Sequence, residues 1–575
     1  MATTMAAANE KKTIELRIVE TSDVHGSFFP YDFISRKQTD GTLCRVQTYV
    51  SRLRKEYGDR VLLLDNGDIL QGQPSCYYSN YVAPTRHTDG PLARNVASEL
   101  VNYMGYDCET IGNHDVETGH AVYDKWKDEV RCPMLGANII NRATGRPYLQ
   151  PYAVFVREGV KIAVLGMLSP AIPNWLNESI WRGLQFQEMV ECARHWVDYI
   201  KRVERADIVV GLFHSGLSGG ISTPDYDENA TEKVARQVPG FDIIFFGHDH
   251  IAHNGWIENE KGDSVLCLNP SCFAKNVADA TIRLTYENGR LKEKQISGAI
   301  NSVEEEPVDR QMLSHFQPFI DEVKQYVERR IGRIDTTLNA HDCFFGSSPF
   351  TDLVHNMQLE LSHADISFAA PLTQHGILKK GPLCVADMFK LYRYENRLCV
   401  LRLTGEEIRQ HLEMSYDLWA NTMRSPSDHI IKIKENAREN SGQYGFENLS
   451  FNFDSAAGID YEVDVTKPDG EKVHILRMSN GEPFEDDKEY KVAMNSYRAN
   501  GGGELLTRGA GIGKDCLQSR IVYESPLDLR HYLMELIERE GTVSPKANNN
   551  WHFVPEEWTK PALERDRSLI FPSER

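Results

Sequence analysis

Five short segments hold side chains able to bind a cation or move a proton. They are Asp23-Val24-His25, Asp65-Asn66-Gly67-Asp68, Gly112-Asn113-His114-Asp115, His214-Ser215-Gly216 and Gly247-His248-Asp249-His250. Taken singly, each has an ordinary explanation. Asp-x-His after an apolar run reads equally as a turn with a satisfied carboxylate, and a lone histidine as a hydrogen-bonded one. Gly-His-Asp-His says more, because two imidazoles two residues apart beside a flexible glycine suit a metal. As an ordered set the five are poorly explained by five accidents, whereas one dinuclear metal site accounts for all of them.

The elements in front of these segments explain how they could meet. Apolar runs at Ile14–Glu20, Val61–Leu64, Lys161–Leu165, Ile208–Phe213 and Ile243–Phe246 predict strands, and Glu191–Val203 carries a helical pattern between two of them. That alternation predicts a layered α/β domain. In such sheets the carboxyl ends of parallel strands lie together and line a ligand crevice. Four of the five candidate segments directly follow a predicted strand.

Near residue 300 the pattern changes. Residues 307–333 predict one long polar-faced helix, a connector to a second α+β region that begins near Asp335 and has strands at Arg397–Leu403 and Lys491–Met494. The expected domains are therefore 13–305, a connector at 306–334, and 335–575. The chain has 575 residues, too many for one ordinary core, and 41% hydrophobic with 10% aromatic content supplies two. A formal charge of −19 argues against a nucleic-acid polymer or an anionic membrane as partner, and no stretch approaches a membrane span. The eleven cysteines show no CxxC pair and no framework spacing, which favours reduced thiols. The leader MATTMAAAN ends in small residues like the tail of a signal peptide, with a disordered leader as the other reading.

The motifs DVH, GD, GNHD, the histidine of FHSG, and GHDH, in that order, resemble the signature of the calcineurin-like metallophosphoesterases. SFNFD at 450–454, NSYRANGGG at 495–503 and NNNWHFVP at 548–555 resemble the C-terminal domain of the bacterial 5′-nucleotidase family. AAP at 369–371 and LYRYENRL at 391–398 resemble its 2′,3′-cyclic-nucleotide 2′-phosphodiesterase/3′-nucleotidase branch. The resemblance implies a layered metallophosphoesterase sandwich joined by a connector helix to an α+β nucleotide-binding domain. It also implies a small nucleotide substrate and a periplasmic or cell-envelope location, with a cytoplasmic one as the alternative.

Carried over residue by residue, the resemblance puts one metal on Asp23, His25 and His250 and a second on Asn113, His214 and His248, with Asp68 bridging. This oxygen and nitrogen set suits Mn, Zn, Fe or Co. Two divalent ions held by two carboxylates leave the pocket at about +2, enough to draw in phosphate despite the acidic chain. The metals would activate water for in-line attack on phosphorus. His114 is not a ligand in the family; it stabilises the transition state or protonates the leaving oxygen. Glu117 stands where 5′-nucleotidases of the family commonly have an aspartate that orients this histidine, and an exposed acid in a first helical turn is its other reading. Phe451 and Tyr497 fall where the family stacks the base between two aromatics. The arginine of the 5′-nucleotidase NGGGIR stretch is missing from FAAPLTQHGI at 368–377, which favours the cyclic-diester branch; Arg393, Arg397 and Arg498 are the cations available to replace it. Other metallophosphoesterase activities, 5′-nucleotidase among them, and a non-catalytic nucleotide-binding protein are the competing readings.

Overall fold

A computed structural model describes residues 11–288, 290–374, 376–435 and 444–572. The leader at 1–9 lies outside the described residues. The chain divides into two compact units, one of residues up to 173 with 178–325, the other of 174–177 with 326 onwards.

The two large sheets of the first unit are built from β1 (Lys11–Thr21), β2 (Val61–Asp65), β3 (Cys108–Thr110), β4 (Met134–Leu135), β5 (Tyr152–Arg157) and β6 (Val160–Leu168). They continue with β7 (Ile208–His214), β8 (Ile243–Phe246), β9 (His253–Glu258), β10 (Ser264–Asn269), β11 (Asn276–Glu287) and β12 (Arg290–Ser302). They form two six-stranded sheets, ordered β12-β11-β1-β2-β3-β4 and β9-β10-β8-β7-β6-β5. In each sheet the central strands are parallel, with Thr21 beside Asp65, Asp65 beside Glu109, and Phe213 beside Phe246. Strand ends that carry the candidate ligands are therefore level with one another.

One core lies between the sheets: Ile18, Leu62 and Leu64 from the first face Val210, Leu212, Ile243 and Phe245 from the second. The alternate residues of β7 and β8, Val209, Phe213, Ile244 and Phe246, enter a second core beneath the helix Met189–Tyr199. Both faces of these strands are buried, so their sequences read as unbroken apolar runs rather than alternating ones.

The expected connector is a helix only over Arg310–Glu328. Its apolar stripe is buried, with Phe316 and Phe319 against Phe29, so its body belongs to the first unit rather than spanning open solvent. Residues Arg330–Ile334 form a strand instead of the helix's last turn, paired with Gly381–Cys384 and Thr542–Val543. A side chain at Gly332 would collide with Ile537 and the Gly541 carbonyl, so this strand needs a glycine that a helix disfavours.

The second unit is built on a five-stranded sheet of β13 (Ile366–Ala369), β14 (Arg397–Thr404), β15 (Ser455–Ala457), β16 (Glu489–Asn495) and β17 (Ile521–Asp528), in the order β15-β13-β16-β14-β17. β15 runs antiparallel and β16 parallel to β13. The entry to β15 and the exits from β13 and β16 thus share one end of the sheet, which gathers the segments before Ser455, after Ala369 and after Asn495.

All eleven cysteines are free thiols, seven of them buried. No helix among the described residues is long and apolar enough to cross a membrane.

Candidate active site

The loops leaving β1, β2 and β8 turn sharply. Asp23, His25, Asp68, His248 and His250 all have φ between 48° and 75°, the left-handed region that β-carbon sterics disfavour. Such strain costs of order ~1–3 kcal/mol per residue and persists only where the surroundings fix it. Five of the seven expected ligands sit there, so these side chains are aimed by the turns themselves. Glycine permits the close approach: a side chain at Gly112 would strike the Asp68 carboxylate, and one at Gly247 would strike Ser22 and Asp23.

The side chains converge. His250 Nε2 lies 3.2 Å from Asp23 Oδ1, and His25 Nε2 is 4.0 Å from Asp23 Oδ1 and 3.8 Å from Asp68 Oδ2. His214 Nε2 is 3.3 Å from Asp68 Oδ2 on the other side. Asn113 Oδ1 is 3.1 Å from His214 Nε2 and 2.8 Å from His248 Nδ1. Asp23, His25 and His250 form one cluster of potential metal ligands, and Asp23, Asp68 and His214 another. Asp23, Asp68 and His214 are buried, whereas His250 is exposed at the rim.

Donor chemistry tests whether a cation fits. His214 Nδ1 is 2.6 Å from the Asn66 carbonyl and His25 Nδ1 is 3.0 Å from the Gln71 carbonyl. A carbonyl oxygen only accepts, so each Nδ1 carries the proton in the neutral ring and each Nε2 presents a lone pair. His248 is reversed: Nε2 meets Glu228 Oε1 at 3.0 Å, leaving the Nδ1 lone pair toward Asn113. Asn113 Oδ1 therefore faces two lone pairs with an acceptor of its own, an arrangement that repels unless a proton or cation lies among them. The residues fit a bound metal. The field is strongly negative: burial opposes a charge on His214, but Asp68 outweighs it and raises the pKa to about 10.

His114 stands beside this cluster. Its backbone N–H donates to Asp68 Oδ1 at 2.8 Å, and its Nδ1 lies 2.8 Å from Glu117 Oε2, so the longer acid reaches the imidazole. Burial disfavours the imidazolium, yet Asp68 and Glu117 push its pKa up to about 9. The His114 and His25 rings are 5.4 Å apart.

Three carboxylates carry roles that spacing did not reveal. Asp115, fully buried, accepts backbone N–H groups from Asp68, Ile69, Leu70 and Gly112 at 2.7–2.9 Å, clamping the Asp68 loop to the Asn113 loop. Glu228 backs His248. Asp249, inside the Gly-His-Asp-His segment, turns away to Leu217 N, Ile251 N and Asn269 Nδ2 and ties the loops together. Asp115 and Asp249 had a visible signal, their places in GNHD and GHDH; Glu228 had none.

In the second unit Phe451 precedes β15 and Tyr497 follows β16, and the shared sheet end brings their rings to 6.2 Å, edge to face at 78°. Tyr497 packs on Gly502, where a side chain would strike its ring, and its hydroxyl lies 3.3 Å from Asn452 Oδ1. Arg498 is no substitute for the missing phosphate-gripping arginine. It is buried, with Nε 2.7 Å and Nη2 3.0 Å from Asp454 and Nη2 3.0 Å from the Phe451 carbonyl. Its guanidinium holds the aromatic segment from beneath. Arg397 is half committed, 3.3 Å from Glu524.

Two family models match this chain: calcineurin-like phosphoesterase over residues 16–252, and 5′-nucleotidase, C-terminal domain, over residues 330–508. A 2′,3′-cyclic-nucleotide 2′-phosphodiesterase/3′-nucleotidase of Haemophilus influenzae is 27% identical over 96% of this chain and 89% of its own length. The trifunctional nucleotide phosphoesterase protein YfkN of Bacillus subtilis is 26% identical over 96% of this chain, which spans only 40% of that longer protein. A putative 5′-nucleotidase from Staphylococcus aureus shares the fold, with a TM-score of 0.75 at 20% identity over 94% of this chain and all of that one. Calcineurin-like phosphoesterases use a dinuclear metal centre, and the Asp and His cluster lies within the matched residues. With both of its units matched, the chain belongs to the calcineurin-like phosphoesterases that carry a 5′-nucleotidase C-terminal domain.

Proposed function

We propose that this phosphoester hydrolase acts on nucleotides, opening 2′,3′-cyclic nucleotides to 3′-nucleotides and releasing phosphate from 3′-nucleotides. The observation that carries the reading is the convergence of the Asn113 carbonyl oxygen with Nε2 of His214 and Nδ1 of His248, beside the Asp68 carboxylate. Asp23, His25 and His250 would hold one ion, Asn113, His214 and His248 the other, and Asp68 both. When bound, two divalent ions of Mn, Zn, Fe or Co supply Lewis acidity and an acidified water.

The protein's own part is to hold and move a proton. Glu117 fixes His114 through Nδ1. As the water's oxygen bonds to phosphorus and the bond from phosphorus to the ribose 2′ oxygen breaks, Nε2 of His114 gives its proton to that oxygen. Phe451 and Tyr497 would stack the base, and admitting it requires the present edge-to-face contact to open. Preference for the cyclic diester rests on the sequence FAAPLTQHGI in place of an arginine-bearing loop, and on Arg498 being tied to Asp454.

The test is phosphate release from 3′-AMP and 5′-AMP, and 3′-AMP formation from 2′,3′-cyclic AMP, by metal-stripped protein reloaded with Mn, Co, Zn or Mg. Turnover of the cyclic diester and 3′-AMP above 5′-AMP is expected. A 5′-AMP preference makes the chain a 5′-nucleotidase, and no turnover with any ion defeats the catalytic reading.

A further inference from the structure

The two proposed metal positions are unequal in charge. The first has Asp23 to itself; the second has the neutral Asn113 in the corresponding place, and both share Asp68. The histidines differ as well. His25 and His214 lean on the Gln71 and Asn66 carbonyls, which orient a ring without adding charge. His248 leans on a carboxylate, with Nε2 3.0 Å from Glu228 Oε1.

That carboxylate is firmly placed. Its second oxygen, Oε2, accepts Ile221 N–H at 2.7 Å, and the Glu228 backbone N–H donates to the Ile221 carbonyl at 2.8 Å. The Glu228 carbonyl accepts the Ser169 and Ser215 hydroxyls at 2.9 and 2.8 Å. The neighbouring Asn229 amide oxygen accepts Gly216 N–H at 2.8 Å, anchoring the loop to the turn that follows His214. A side chain at Gly220 would collide with Oε2, so a glycine leaves room for the carboxylate. The Glu228 and His248 side chains are only 15% and 12% exposed, so water screens the pair weakly.

We propose that Glu228 is a positioning residue for the second metal: it turns Nδ1 of His248 toward the ion and gives that position the negative charge that Asn113 does not provide. The inference rests on the proposed ligand set. A carboxylate behind a ligating imidazole fixes the tautomer and raises ligand basicity, and losing such a partner typically costs 10–100-fold in metal affinity. Here the loss should fall on one ion of the two.

The experiment dialyses metal-stripped whole chains of wild type, Glu228→Gln, Glu228→Ala and Asp68→Asn against graded buffered free Mn²⁺ or Zn²⁺ and counts bound ions by elemental analysis. Both Glu228 variants should bind the first ion at the wild-type midpoint and need about 10–100-fold more free metal for the second, Ala at least as much as Gln. Asp68→Asn should weaken both. If Asp68→Asn binds two ions normally, the ligand set is wrong and the Glu228 role falls with it. If Asp68→Asn loses both ions while the Glu228 variants load two at wild-type midpoints, or lose both equally, the ligand set stands and the Glu228 inference is overturned.

Discussion

Replacing Asp115 by Asn should open the active-site loops while leaving every proposed metal-ligand side chain in the sequence. In the wild-type chain Oδ1 accepts Ile69 and Leu70 N–H at 2.9 and 2.8 Å, and Oδ2 accepts Asp68 and Gly112 N–H at 2.7 and 2.8 Å. Asparagine keeps the shape, but whichever oxygen becomes NH₂ faces two N–H donors. Two of four charge-assisted bonds are therefore lost in a site with no access to water. At ~1.5–3 kcal/mol for each bond to a charged group, local stability should fall by about 3–6 kcal/mol. Because two units need not unfold together, global melting reports this poorly. Amide exchange read by mass spectrometry on peptides covering 66–72 and 110–114 reports it directly. Exchange there should accelerate by about two to four powers of ten where opening is local, at 1.4 kcal/mol per tenfold. Bound metal and turnover should fall together as Asp68 loses its fixed place. Unchanged protection in both peptides with wild-type metal content would refute the clamp.

His114→Asn should keep both metals and lose roughly 10²- to 10⁴-fold in rate, less for substrates with good leaving groups; metal lost in proportion to activity would make His114 a ligand. Phe451→Ala and Tyr497→Ala should each cost about 1–3 kcal/mol of nucleotide binding, roughly 5- to 150-fold in kcat/KM, and leave glycerol phosphate nearly unaffected. Equal slowing of both substrates would make the rings packing residues. In the second unit, burial opposes charge on Asp454, but Arg498 and His411 hold its pKa below the usual carboxylate range. A depressed native pKa gives stability that is present above the unfolded value, about 3.9, and is lost as pH falls toward the native one. Asp454→Asn, which leaves the Arg498 guanidinium buried without its counter-charge, should cost several kcal/mol at neutral pH, with the deficit narrowing below about pH 4. A deficit constant down to pH 3 would contradict this.

The parts legible in the sequence are those whose signal is local. Ile243–Phe246 reads as a strand because both of its faces are buried, and the glycine and histidines after it stand out against that run. The long-range pairings of the backing acids carried no such mark. Asp115 acts on amides about 45 positions away, Asp454 on an arginine 44 positions on, and Glu228 on a histidine 20 positions on. An isolated acid in a polar segment has the same composition whether it faces water or a backbone clamp. Arg498 shows the cost of reading type without partner: a cation beside a glycine-rich loop suggests a phosphate clamp until Asp454 is found against it. The connector's end departs from the expected helix for a related reason, since the pairing partners of Arg330–Ile334 lie about 50 and 210 residues further on.

A common arrangement runs through both units. Several of the proposed reactive or recognising side chains sit at or just off a strand end, where the backbone is free to turn, and a carboxylate outside the proposed ligand set fixes them. Asp115 holds the loop of Asp68, Glu117 holds His114, Glu228 holds His248, and Asp454 holds Arg498 under Phe451. Strand ends alone would give proximity but not direction, since a turn in the left-handed region is costly and relaxes when nothing opposes it. Direction comes from these buried or half-buried charges, and each is tolerable there because N–H groups or a cation meet it. The two kinds of residue should therefore fail differently. Removing a ligand should remove a metal or a step, while removing a backing carboxylate leaves every reactive group present and wrongly aimed, so that ions bind more weakly or turnover slows although no ligand has been removed.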